Sequence, residues 1–259
     1  MNKKDSLGDR MKGYENVSRP FLMKRMPVII RIDGVHFHTF TRGMNKPVDM
    51  ILQKSMIETM FQLCENIQGC KFGYVQSDEI SLLLTDYENL NTSAWFDNCL
   101  TKIVSVSASM ATMFFNKAYR SWTNMEGSGY HRFPDIDKYR QKRDTAYFDA
   151  RAFNLHQSEV CNYFLWRQQD CVRNSIEALG RSKFSHKQLE NVNGPGIKAM
   201  LKEVHNIIWE DTPLAQQRGV CAYRVDEEIN EEKTRKKWIL DENIPIFSEN
   251  RNYIESHLE

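Results

Sequence analysis

Two apolar runs separated by four polar residues constrain this chain more than any other feature. Phe72-Gly73-Tyr74-Val75 precedes Gln76-Ser77-Asp78-Glu79, and Ile80-Ser81-Leu82-Leu83-Leu84-Thr85 follows. Both runs are too short for helices and read as strands, so the acidic pair falls at the tip of a tight hairpin spanning roughly residues 72–85. Adjacent carboxylates repel, and each loses hydration on partial burial. A divalent cation relieves both costs, whereas a fully solvated Asp-Glu turn needs none. A third carboxylate, Asp33, decides which alternative to test.

Asp33 closes the run Pro27-Val28-Ile29-Ile30-Arg31-Ile32, which reads as a strand buried on both faces, and Gly34 follows it. The loop His36-Phe37-His38-Thr39-Phe40 leads to Asn45-Lys46-Pro47. Pro47 suits the first turn of a helix, in which Val48, Leu52, Met56, Met60, Leu63 and Ile67 form one apolar face ending before Gly69. After the hairpin a second helix is expected from Ser93 to Asn116, then a strand from Tyr147 to Ala152. Strand, helix, strand, strand, helix, strand is the ferredoxin-like or split βαβ order, an α+β class. In that order the end of the first strand and the hairpin tip share one sheet edge, which brings Asp33 to Asp78 and Glu79.

The remainder reads as mostly helical. A helix is expected from Ser158, its N-cap, to Leu179 with Gly180 past its end, then a loop over Asn193–Gly196 and a helix from Ile197 to Trp209. Gly219–Tyr223 reads as a short strand, the acidic and basic runs over 226–237 as a solvated hairpin or loop, and Asn250–Leu258 as a terminal helix. Residues 1–155 would thus form the catalytic core with an N-terminal helix around Ser6–Tyr14. Residues 156–259 would form a helical region packed on it within one integrated domain.

The 259 residues carry a net charge of +1, so any nucleic-acid surface must be local rather than global. Between Lys117 and Arg143, seven Lys/Arg stand against three Asp/Glu, interleaved with Trp122, Tyr130, Phe133 and Tyr139. This suits an RNA backbone and unpaired bases, or equally a charged connection. Six cysteines show no CxxC pair and read as free thiols of a reducing compartment. The absence of an apolar leader or membrane-length stretch points to the cytoplasm and to no membrane partner.

Asp33, Asp78 and the Gly34 carbonyl make a hard oxygen set suited to Mg²⁺, with Glu79 beside them. Two such ions activate a hydroxyl and steady a leaving phosphate. Lys46 offers a point charge to a triphosphate, or is only a surface lysine; Phe37 offers a base-stacking ring, or is a core residue. Arg167 and Asp170, one turn apart, read at minimum as a surface pair.

Five segments in register then carry a resemblance. They are Arg31-Ile32-Asp33-Gly34 with Phe37-His38, Lys46-Pro47-Val48-Asp49, Gln76-Ser77-Asp78-Glu79-Ile80-Ser81, Phe148-Asp149-Ala150-Arg151, and Trp166-Arg167-Gln168-Gln169-Asp170-Cys171. Over roughly residues 27–180 the chain resembles the tRNA-His guanylyltransferase superfamily of reverse (3′–5′) polymerases, specifically its bacterial and archaeal branch. The resemblance implies a polymerase-palm core with two Mg²⁺ on Asp33, Asp78 and the Gly34 carbonyl, and Asp33, Asp78 and Glu79 as catalytic carboxylates. It implies nucleotide contacts from Asp33, Gly34, Val35, His36, Phe37, His38, Lys46, Asp49, Ser77 and Asp78. Lys102, Asp149, Arg151, Arg167 and Asn174 would lie near tRNA or its phosphates. ATP or GTP would serve as activating and incoming nucleotides, tRNA as the partner, and a homotetramer as the assembly.

One departure bears on substrate. The eukaryotic enzymes follow Asp-Cys with His-Ile-Asn-Asn, where this chain has Val172-Arg173-Asn174-Ser175, and Ala150 stands where their motif has Gly. The resemblance therefore points to template-dependent repair of 5′-truncated tRNA, with tRNA-His-specific G addition as the alternative. A palm-type nucleotide cyclase competes but lacks its Gly-Gly hairpin here. An RNA-recognition module shares the strand order but leaves three carboxylates without a role.

Overall fold

The computed structural model describes residues 6–124, 136–230 and 233–258. Six strands form one antiparallel sheet: β1 (Val28–Gly34), β2 (Cys70–Gln76), β3 (Glu79–Leu84), β4 (Phe148–Asn154), β5 (Val220–Asn230) and β6 (Lys233–Asp241), in the order β4-β1-β3-β2-β5-β6. The first four are the predicted ferredoxin-like set. The helices are α1 (Leu7–Asn16), α2 (Phe37–Phe40), α3 (Met50–Asn66), α4 (Leu100–Asn124), α5 (Ile136–Arg140), α6 (Gln157–Lys183), α7 (His186–Leu189), α8 (Gly194–His205), α9 (Leu214–Arg218) and α10 (Asn252–Glu255).

Alternation along the strands divides the core. Ile30, Ile32, Ile80 and Leu82 face α3 and α4, meeting Met56, Met60, Leu63, Ile103, Ala111 and Phe115. Ile29, Phe72, Tyr74 and Leu83 face the other way and pack on Val160, Tyr163 and Phe164 of α6. Both faces being covered explains why β1 is a near-continuous apolar run. A third cluster joins the far half of α6 to α8 through Ile176, Leu179, Ile197 and Leu201.

Several boundaries depart from the sequence reading. Pro47 is not in a helix: Lys46-Pro47 is a cis peptide, and α3 begins only at Met50, capped by Asp49. A turn over Trp95–Asn98 with Phe96, Asp97 and Asn98 at positive φ replaces the expected start of α4. The helix then runs past Asn116 because Ala118, Tyr119 and Thr123 continue its buried face. His156, not Ser158, caps α6. Asn193 caps α8, with Pro195 in its first turn, so the expected loop is helix. Of the two readings of the charged runs over 226–237, the hairpin one holds: Asp226–Asn230 of β5 pairs with Lys233–Lys237 of β6, and β5 extends the sheet by joining β2 over Phe72–Val75. The C-terminal region is thus less helical than its pattern predicts. Of the basic, aromatic connection, Tyr130 and Phe133 lie outside the described residues.

Gly180 does not end α6 but lies inside it, where a Cβ would stand 2.7 Å from Ile197 Cγ2. It sets the approach of α8. Gly180→Val pushes methyl groups into that contact, and a loss of about 1–3 kcal/mol is expected from overpacking, read as a lowered urea midpoint.

Among the described residues, no helix is long and apolar enough to cross a membrane. All six cysteines are free and buried.

Candidate active site

The strand register builds one polar patch. Asp33 pairs with Glu79 of β3 on one side and Asp149 of β4 on the other; two residues earlier Arg31 pairs with Ser81 and Arg151. Opposed residues of antiparallel strands share a face, so these six side chains lie together on the face that α6 packs against, where Tyr163 meets Ser81 and Arg167 meets Glu79. Gln76 and Glu79 close the β2–β3 hairpin, leaving Ser77 (φ 49°) and Asp78 as its turn. The Gly34 N–H donates to the Asp78 carbonyl at 3.1 Å, and the Ser77 hydroxyl donates to Asp78 Oδ1 at 2.9 Å. This stitch holds the hairpin tip against the end of β1. Gly34 is required there, because a Cβ would meet the Phe37 ring at 2.3 Å.

The electrostatics follow from that crowding. Burial raises the Asp33 carboxyl above the usual range, and Asp78 and Asp149 raise it further, against the pull of Arg31 and Arg151. Excess negative charge therefore collects where Asp33 meets Asp78. Among the described residues, no three His, Cys, Asp or Glu side chains form a metal cage. Two carboxylates and a backbone carbonyl leave the remaining coordination of a hard cation to water or phosphate oxygens, which is how Mg²⁺ is usually held.

Glu79 does not join Asp33 and Asp78 in the open. It is 9% exposed, with Arg167 Nε at 2.8 Å and Arg31 Nε at 4.0 Å. The 2.8 Å contact is an ion pair lacking hydrogen-bond alignment. Burial raises the Glu79 carboxyl even so, with Arg167 and Arg31 opposing. Arg167 is not a free phosphate ligand. It is 5% exposed, reaches Asp170 at 2.5 Å and lies 4.1 Å from the Trp166 ring centroid. Neither is it the surface pair that spacing alone permits; α6 is pinned to the sheet through it.

Asp49 also turns inward. Its carboxylate accepts from the N–H groups of Leu52 and Asn45, both at 3.1 Å, and from the Tyr139 hydroxyl at 2.5 Å, so it fixes the loop carrying Lys46 from the wall of the cleft that this loop borders. The Phe37 ring is core, packed against Phe40, Phe115 and Phe148, which leaves only its backbone for a ligand. Lys102 sits at the far end of the sheet: α4 starts beside Pro20, and reaches Ala146 and Phe148 only at Asn116 and Thr112.

Other expected residues do converge. Lys46, Ser77 and Asn174 line one cleft of about 270 Å³, floored by Val75, Gln76 and Val220. His36 and His38 are exposed beside Asp33, and Val35 is tied by its N–H to the Tyr147 carbonyl. Asp149 and Arg151 are exposed. Arg31 went unassigned in the sequence reading; its position two residues before Asp33, on the same strand face, is the signal that identifies it.

A four-stranded βαββαβ sheet with two aspartates where β1 meets the hairpin tip is the palm arrangement, and the family match makes the chain a nucleotidyltransferase. Residues 8–156 match the family model for tRNAHis guanylyltransferase, and the chain belongs to that family. It aligns over 98% of its length with 99% of a bacterial tRNA(His) guanylyltransferase-like protein in complex with ATP, at a TM-score of 0.84 and 45% identity. The corresponding complex with GTP gives 0.78 and 43%, with the same coverage. tRNA(His) guanylyltransferase 2 of Arabidopsis thaliana is 26% identical over 229 residues, which span 84% of this chain but 39% of the plant protein.

Proposed function

We propose that this enzyme adds nucleotides in the 3′–5′ direction to the 5′ end of a truncated tRNA, copying the opposing strand. The observation that carries the reading is the convergence of Asp33 and Asp78 at the hairpin tip, with a lysine-bearing cleft beside them. The similar bacterial protein is in complex with ATP or GTP, and the same nucleotides are proposed for this chain.

Two displacements at phosphorus make up the reaction. A 5′-monophosphate oxygen attacks the α-phosphorus of ATP and expels pyrophosphate, leaving a 5′-adenylylated RNA. The 3′-hydroxyl of an incoming nucleoside triphosphate then attacks the RNA 5′ phosphorus and expels AMP. One acidic centre serves both, because both need charge neutralisation at a phosphoryl group. Asp33, Asp78 and the Gly34 carbonyl fit Mg²⁺, since the burial and the neighbouring carboxylates that raise the Asp33 carboxyl both disfavour its charge, and a cation relieves both. When bound, Mg²⁺ supplies Lewis acidity and lowers the pKa of the attacking hydroxyl.

This chain's own groups do the holding. Lys46 and Ser77 face the triphosphate from the cleft, and the backbone of residues 34–38 lies along it. Arg151 stands directly opposite Arg31, an arrangement that like charges disfavour and a bound phosphate favours. Val172-Arg173 in place of the eukaryotic His-Ile supports templated repair over untemplated G addition. A homotetramer working in the cytoplasm belongs to the same reading.

The test uses a tRNA lacking its 5′ terminal nucleotide, labelled at the 5′ monophosphate, with ATP, Mg²⁺ and all four nucleoside triphosphates. Addition of the nucleotide complementary to the acceptor strand is expected, and its loss on chelation. Addition of G alone, whatever the opposing base, would overturn templated repair. No addition even to a triphosphorylated RNA would overturn the RNA reading as a whole.

A further inference from the structure

We propose that Trp166 is the platform on which a base at the 5′ end of the RNA stacks. The inference rests on the RNA-directed reading of this site. Trp166 is 51% exposed, whereas the neighbours that hold it, Tyr163 and Arg167, are 8% and 5% exposed. The Arg167 guanidinium covers the ring at 4.1 Å from its centroid, and Tyr163 meets it edge-on at 6.0 Å. Arg167 is in turn fixed by Glu79 and Asp170. The indole is therefore held in place with ring surface open to solvent, a preorganised stacking surface.

Its position decides what it receives. The Tyr163 hydroxyl lies 2.8 Å from Ser81 Oγ, and the Tyr163 ring meets Phe153 of β4, so this side of α6 leans toward β4. Trp166 is nearly one turn further along, toward the β4 row that holds Arg151 and Asp149. The Lys46–Ser77 cleft lies on the opposite side, against β2 and β5. Asp33 and Asp78 stand between the two. A nucleotide whose triphosphate occupies the cleft leaves the Trp166 side to the second substrate, with Arg151 available to a phosphate and the indole to a base. Phe37, the ring expected to stack, is buried in the core and cannot take this part.

Trp166→Ala and Trp166→Phe in the full chain test this with the truncated tRNA. Loss of one base–aromatic stack weakens binding by about 5- to 150-fold. We expect the alanine variant to raise KM for the tRNA about tenfold or more, with KM for ATP unchanged, and the phenylalanine variant to recover most of it. Part of the tryptophan quench on tRNA binding should vanish in Trp166→Phe. A wild-type tRNA KM in the alanine variant, with the wild type extending RNA, overturns this inference and leaves the proposed function standing. A rise in KM for ATP instead moves the ring to the nucleotide side and also overturns it. A changed oligomeric state or a lowered melting temperature that phenylalanine does not rescue makes Trp166 a structural residue. A wild-type enzyme that neither binds nor extends RNA overturns both readings.

Discussion

Asp33→Asn should abolish nucleotide incorporation and make the metal-free protein more resistant to heat. The first effect follows from the charge the site must neutralise. Removing one of two carboxylates forfeits several kcal/mol of stabilisation at the reacting phosphorus, a fall of at least about a thousandfold. The second follows from the direction in which the Asp33 carboxyl is displaced. Its folded-state pKa is raised, by burial first and then by Asp78 and Asp149. The folded protein thus holds that proton more readily than the unfolded chain, and ionised Asp33 costs stability above the ordinary carboxylate range. Asparagine removes the cost. Thermal melts in chelator should show the variant ahead of wild type at pH 8 and the gap closing toward acid pH, where Asp33 is protonated. Incorporation at the wild-type rate by a folded Asp33→Asn protein would end the metal assignment; melting temperatures that coincide at pH 8 would end the electrostatic one.

Arg167→Ala should be the most destabilising single change at the site, by about 3–5 kcal/mol, because it strands the buried Glu79 carboxylate without its nearest partner. Asp170, which also pairs with Arg173, keeps a second cation and suffers less. The double variant Glu79→Leu, Arg167→Met removes both buried charges and should recover most of the loss in urea unfolding, since an apolar pair of similar size packs without a desolvation cost. A single variant costing under about 1 kcal/mol, or a double variant no better than the single, would show that α6 is held by its apolar contacts alone.

Both predictions concern residues whose part in the site was unequally legible. Asp33 and Asp78 could be paired from strand order, because a βαββαβ chain has few ways to place the end of β1 and the hairpin tip. Asp49 and Arg167 show that a polar residue near a site can also serve it from beneath: one caps α3, the other lies against a tryptophan. Nothing local distinguishes such a residue from a ligand; only its neighbours do. Phe37 is the same case in apolar form, settled by Phe115 and Phe148, which come from distant elements. Pro47 pointed to a helix start by rule, but the Asp49 cap, two residues later, sets the boundary. The β5–β6 pair was legible only as one of two alternatives, because its charges suit a solvated loop as well as a hairpin, and its place in the sheet is set by the distant partner β2.

That last feature reaches beyond catalysis. A sheet ending in an unpaired strand offers its backbone to any other chain that arrives extended. Here the terminal strand carries Arg235, Lys236 and Lys237, opposite Glu227, Asp226 and Val225 of β5, and Glu227 binds both Arg235 and Lys237. An incoming strand would have to lay its side chains along that row of cations. The charge run that first looked like surface decoration is thereby a guard against edge-to-edge aggregation, and keeps an open sheet from growing.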